Sequence, residues 1–132
     1  MHLIVCIEEN DGMSFCGRRL SSDRVVADHI AQLTAGKVLW MSGYSAGLFP
    51  GRQIKTDPDF LKKAGAGEWC FVENTPLGAD LKNLESVFLY HWNRRYPSTQ
   101  RFPRQLLAGK TLQETVEFSG HSHEKITLER YA

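Results

Sequence analysis

A chain of 132 residues with 42% hydrophobic and 23% charged residues has the composition of one compact domain, long enough to bury a core without disulfides or metals. Sixteen Lys and Arg against fifteen Asp and Glu leave a formal net charge of +1, which excludes a globally basic nucleic-acid binder and an acidic tail. Cys6, Cys16 and Cys70 form an odd set without CxxC spacing, so a disulfide framework or structural zinc cluster is not expected and a reducing, cytoplasmic setting is. The early apolar run, Leu3 to Ile7, is too short for a signal-peptide core or a bilayer crossing, and no membrane partner is expected.

His2 to Ile7 is continuous, apolar and rich in β-branched residues, then meets Glu8-Glu9-Asn10-Asp11-Gly12; this predicts a buried strand ending in a turn. Met13 to Leu20 is irregular. Ser21-Ser22-Asp23 offers a helix N-cap, and Val25, Val26, His29, Ile30 and Leu33 follow at helical spacing up to Gly36. Lys37 to Met41 predicts a second buried strand, Ser42 to Phe49 a short helix or loop, and Pro50-Gly51 a turn. Asp59 to Ala64 predicts a helical stretch closed by Gly65 and Gly67. Trp69 to Val72 and Val87 to Trp92 predict strands, and Gln113 to Tyr131 an antiparallel hairpin turning near Gly120. There is no repeat, low-complexity tract or linker. The alternation predicts a single α/β domain over residues 1–132, with a mixed, mostly parallel sheet flanked by helices and a C-terminal β-hairpin.

In this order the segments resemble a shortened, degenerate dihydrofolate reductase. LIVCIEENDG is similar to that family's first strand and the turn into its mobile loop, and IAQLTAGKVLW to its helix-to-strand junction. Phe49-Pro50-Gly51-Arg52 is similar to its LPGR turn, Val87 to Trp92 to its LTHI-type strand, Ser98-Thr99 to Phe102-Pro103 to its DTxFP segment, and His121 to Arg130 to its closing strand. FVEN, LYHWNRRYP and SHEKIT also resemble short chains that go under the name ribonuclease Z. True ribonuclease Z proteins have a metallo-β-lactamase fold and an HxHxDH motif. This far shorter chain keeps only the HxH half, in His121-Ser122-His123-Glu124-Lys125-Ile126, so the name is not expected to describe it.

The resemblance implies a substrate-facing role for Arg52, in the LPGR-like turn, but its other functional positions are altered. Counted back from Leu33-Thr34, the catalytic carboxylate position falls on Val26, and the loop's LPW falls on Arg19-Leu20-Ser21. Glu73-Asn74 follow Phe71-Val72 where a glycine pair would let the backbone approach a dinucleotide pyrophosphate; a carboxylate there repels phosphate and side chains obstruct the approach. The arginine that reads a 2′-phosphate is replaced by the Met41-Ser42-Gly43 neighbourhood. Between Arg52 and Phe60 the chain looks too short for the strand and helix that complete the cofactor half.

Asp23, one turn before the vacant position, is a candidate displaced acid or base, beside its ordinary reading as a helix N-terminal acid. His121 and His123, two apart, would share a face if the segment were a strand, yet the sequence offers too few further ligands, so no metal is expected. Arg18, Arg19 and Arg24 with Arg52 form a candidate anion-receptive cleft, in which Glu73, Asn74, Tyr90 and Trp92 would also contact a ligand. From Ser86 to Gln113 there is no acid, and Arg94, Arg95, Arg101, Arg104 and Lys110 interleave with Tyr90, Trp92, Tyr96 and Phe102, a pattern that suits single-stranded nucleic acid. Its plainer reading is a solvated segment whose aromatics belong to the core. Cys6 and Cys70 sit in apolar strands and read as core.

The expectation is therefore a dihydrofolate reductase-like protein that binds an anionic small molecule, nucleotide or pterin-like, without cofactor and without folate reduction. The alternatives are a divergent NADPH-dependent reductase, using Asp23 or Glu73 in altered roles, and an RNA-directed protein, either a nuclease or a mobile-element inhibitor.

Overall fold

The computed structural model describes residues 1–78 and 81–132. Its frame is a seven-stranded sheet. Strands β1 (His2–Ile7), β2 (Gly12–Phe15) and β3 (Arg18–Arg19) lead to helix α1 (Arg24–Leu33), and β4 (Leu39–Met41) and β5 (Lys55–Thr56) lead to the short helix α2 (Phe60–Lys63). Then come β6 (Trp69–Val72), β7 (Ser86–His91), β8 (Gln100–Arg101), β9 (Leu112–Phe118) and β10 (Ile126–Tyr131). The main sheet runs β5-β4-β6-β1-β7-β10-β9; β10 pairs antiparallel with β7 and β9, and the other pairings are parallel. This is the mixed, mostly parallel sheet with a terminal hairpin that the alternation of elements predicts.

Central β1 is apolar throughout because both its faces are covered. Ile4 faces a core shared with Val26 and Ile30 of α1, Phe71, Phe88, Tyr90 and Trp92. Leu3, Val5 and Ile7 face the opposite core with Phe60, Val72, Val87, Leu89 and Phe102. β7 divides its side chains the same way, as the two-residue period of a strand requires.

Three features depart from the sequence expectation. Residues 12–19 are not irregular: β2 pairs antiparallel with β3 and β8 in a second, three-stranded sheet. Its turn is made at Cys16 and Gly17, with φ of 48° and 79°. The segment between Arg52 and Phe60 does hold a strand, the two-residue β5, parallel to β4. A 3-10 turn spans Arg104–Leu107, where the sequence reading has no element, whereas the other such turn, Ala46–Leu48, falls within the short helix or loop expected over Ser42 to Phe49.

Candidate functional site

The carboxyl ends of β1, β6 and β7, the first turn of α1 and the loop between β9 and β10 converge on one cavity of about 490 Å³. In a mostly parallel sheet this edge is where side chains and main-chain groups are free to meet a ligand. Val26, Phe49, Phe71 and Trp92 give the cavity an apolar wall, and Ser21, Asp23, Arg24, Asp28, Glu73 and His121 supply polar groups. Cys6 also lines it, with its thiol pKa pushed up by burial and by Glu73 nearby.

Asp23 caps α1, its carboxylate accepting from Val25 N at 2.9 Å. The same carboxylate accepts from the main-chain N–H groups of His121 and Ser122, each at 2.9 Å, and lies 2.9 Å from His123 Nδ1. Burial by itself would raise the Asp23 pKa; the donors from His121, His123, Ser122 and Val25 outweigh it and hold the carboxyl well below the usual range. His123 is buried and its ring stacks on Trp92, with centroids 4.7 Å apart. Its Nε2 lies 3.0 Å from Ser21 Oγ and 3.3 Å from Tyr96 OH. Gly120 makes the turn at which this loop meets α1: a Cβ there would lie 2.7 Å from Asp23 Oδ2 and 2.9 Å from the His123 carbonyl.

A second polar group closes the opposite wall. Glu73, directly after β6, accepts from Arg19 Nε at 2.9 Å, Arg19 Nη2 at 3.0 Å and Ser45 Oγ at 2.8 Å. Arg19 also lies over the Tyr44 ring, 4.5 Å from its centroid. Asn74 Nδ2 donates to Gly17 O at 2.8 Å. The β2–β3 turn is thereby fastened to the end of β6.

The candidate ligand residues are thus distributed over several places. Glu73 and Trp92 line the cavity together with Asp23 and Arg24, whereas Arg18, Arg19, Arg52, Asn74 and Tyr90 do not. Arg18 is exposed, and Arg52 lies at the surface 3.6 Å from Asp28. Tyr90 is fully buried, its hydroxyl 2.6 Å from His29 Nδ1. Val26, at the position the resemblance gives to a catalytic carboxylate, contributes only an apolar side chain to the wall.

The basic segment does not assemble a stacking platform. Tyr90, Trp92 and Phe102 are buried, and Tyr96 is half-buried. Arg104 makes a bidentate pair with Asp11, Arg95 lies 3.8 Å from Glu9, and Arg94 donates to the Ser122 carbonyl; Arg101 is exposed. His121 and His123 lie in a turn rather than a strand, so their spacing does not place them on one face: His121 is exposed against Arg24 and His123 is buried against Asp23. Among the described residues no group of three His, Cys, Asp or Glu side chains is arranged to hold a metal ion. Among the same residues no helix is long and apolar enough to cross a membrane.

A mixed sheet of this order, with its cavity at the carboxyl edge beside the first helix, is a dihydrofolate reductase-like α/β fold. The chain is similar in structure to dihydrofolate reductase from Enterococcus faecalis, a structure complexed with NADP(H) and RAB-propyl. The TM-score is 0.67, covering 98% of this chain and 94% of that chain at 10% sequence identity. No family model and no curated protein matches the sequence.

The fold raises the question of a nicotinamide dinucleotide, and the residues present do not fit one. Where the resemblance expects two glycines, the Glu73 carboxylate is held by Arg19 and Ser45, and the Asn74 side chain is fixed to Gly17. A pyrophosphate there would meet the Glu73 carboxylate and the Asn74 side chain.

Proposed function

We propose that the chain binds a small organic molecule in the cavity at the carboxyl edge of its sheet and does not reduce folate with NADPH. The observation that carries this reading is the Glu73–Arg19–Ser45 cluster, which puts a fixed carboxylate into the wall where a dinucleotide would need main-chain donors.

The charges of the lining refine the ligand class. Asp23, Asp28 and Glu73 stand against Arg24. Asp23 is compensated by His123 and Glu73 by Arg19, so the polar edge is rich in acceptors without being strongly charged. A planar heterocycle with N–H donors, nucleobase-like or pterin-like, suits the apolar wall of Phe49, Phe71 and Trp92. Arg24 at the rim is the group that would meet an attached carboxylate or phosphate.

A thermal-shift titration with NADPH, NADP, folate, dihydrofolate, free pterins and nucleosides tests the reading. A ligand at a hundred times its Kd adds roughly 2.7 kcal/mol, or several degrees of Tm for a domain of this size. A shift with a pterin or nucleoside and none with NADPH or NADP is expected. A shift with NADPH, or dihydrofolate-dependent loss of NADPH absorbance, would replace this reading with the divergent reductase.

A further inference from the structure

His123 makes more of its position than a structural tie requires. With the Asp23 carboxylate at 2.9 Å on Nδ1, the hydrogen-bond network assigns the ring proton to Nδ1 and leaves the Nε2 lone pair facing Ser21 Oγ at 3.0 Å. Ser21 is half-buried and lines the cavity whereas His123 is buried, so the serine is the member of the pair placed to meet a ligand. Asp23 is fixed by three main-chain N–H groups, and the imidazole is fixed by Trp92 on its face. A hydroxyl, an imidazole and a carboxylate hydrogen-bonded in that order make up a nucleophile, a general base and the group that orients the base.

We propose that Ser21, His123 and Asp23 form a hydrolytic site that cleaves small carboxylic esters bound in the cavity. Ser21 Oγ attacks the ester carbonyl carbon while its proton passes to His123 Nε2. The tetrahedral intermediate collapses, the bond to the alkoxy oxygen breaks, and the departing alcohol takes that proton from His123. Water then attacks the Ser21 acyl ester with His123 again accepting the proton; the carboxylic acid leaves and the Ser21 hydroxyl is restored. Charge developing on the carbonyl oxygen is met by the first turn of α1. There Val25 N is taken by the Asp23 side chain and Ala27 N by the Asp23 carbonyl, leaving the N–H groups of Arg24 and Val26, both residues of the cavity wall, as the donors. Asp23 does not touch the ester; it is a positioning residue.

The inference uses the same cavity as the ligand-binding reading and goes beyond it to a reaction. The test is labelling of the full chain with a serine-directed alkyl fluorophosphonate, in which Ser21 Oγ displaces fluoride, read by intact mass and peptide mapping. One adduct, at Ser21, is expected, together with turnover of p-nitrophenyl butyrate. Ser21→Ala, a half-buried hydroxyl-to-hydrogen change, should abolish both. His123→Gln should slow labelling by about 10³-fold or more, as loss of a base in such a set does. Asp23→Asn keeps the shape but lets the side-chain amide donate to Nδ1, which turns the imidazole to the tautomer that cannot accept from Ser21, so labelling should slow by about 10³-fold or more while binding in the thermal-shift panel persists. A purely structural role for Asp23 would lower Tm and leave the labelling rate of the folded chain in place. No adduct on the wild-type chain, an adduct at another serine, or equal labelling rates with and without His123 would each overturn the proposal. The thermal-shift panel on the same preparation separates this failure from failure of the ligand site, because binding does not require the Ser21 hydroxyl to react.

Discussion

Asp23 gathers donors from residues about a hundred positions away, and this makes one carboxylate a determinant of stability as well as of the site. Its pKa in the folded chain lies below the ordinary value of 3.8, so the folded state binds fewer protons than the unfolded one as pH falls through that value. The stabilisation is complete above about pH 4 and is lost progressively below it. Urea denaturation at a series of pH values should show stability falling on the acid side, and Asp23→Asn should flatten that limb. Asp23→Ala, which leaves His123 and three N–H groups without their acceptor, should cost about 3 kcal/mol or more at neutral pH. Gly120→Ala pushes a methyl group against Asp23 Oδ2 and the His123 carbonyl, and should lower stability by about 1–3 kcal/mol in the same measurement. The capping role of Asp23 is legible in the sequence, because an Asp directly precedes an apolar run of helical period. Its partners His121, Ser122 and His123 are not, since no local pattern brings residues 23 and 123 together. Ser21 was missed as a candidate for the same reason: its meaning depends on which imidazole stands opposite.

At the scale of elements, legibility follows length and burial. The strands β1, β6 and β7 were readable because long or fully apolar runs covered on both faces leave a continuous signature. The hairpin β9–β10 was readable from its alternation, with Ile126 and Leu128 turned to the core and β9 on the open edge of the sheet. The strands β3, β5 and β8 have two residues each, too few for any period to show, and β8 finds its partner, β2, far away in the chain. The metal reading of His121 and His123 depended on extended backbone that the 121–124 turn does not provide. β10 is the element that joins the hairpin to the parallel strands, so its buried side chains should matter most there. Ile126→Ala and Leu128→Ala should each cost about 2–5 kcal/mol in chemical denaturation, with Ile126, fully buried, the larger. On the outer strand Glu114→Ala, an exposed change, should stay within about 0.5 kcal/mol.

Across the whole molecule, the cavity is bounded by two polar ties that join segments far apart in the chain. One links the start of α1 to the β9–β10 loop through Asp23 and His123; the other links the β2–β3 turn to the end of β6 through Arg19 and Glu73. The resemblance in sequence pointed to the frame, because the frame depends on apolar strands in order. It did not reveal the second tie, since Glu73 reads in sequence only as a missing glycine and Arg19 only as one cation of a loop. Together they form a bidentate pair with Glu73 buried and Arg19 about 29% exposed, further fixed by Ser45 and Tyr44. Glu73→Gln keeps the shape, removes the charge facing Arg19 and weakens both bonds. Because Arg19 keeps contact with solvent, the expected loss is modest, about 1 kcal/mol, or a Tm decrease of roughly 3–6 °C. The more telling readout is local. Arg19 N donates to Tyr44 OH and Cys16 N to Thr99 Oγ1, so their amides report how firmly the turn is closed. Hydrogen exchange in Glu73→Gln should accelerate in residues 16–20 and stay unchanged in β1 and β7, because opening the turn does not disturb the central strands. Acceleration spread evenly over the chain would mean instead that the tie supports the whole fold rather than the closure of one wall.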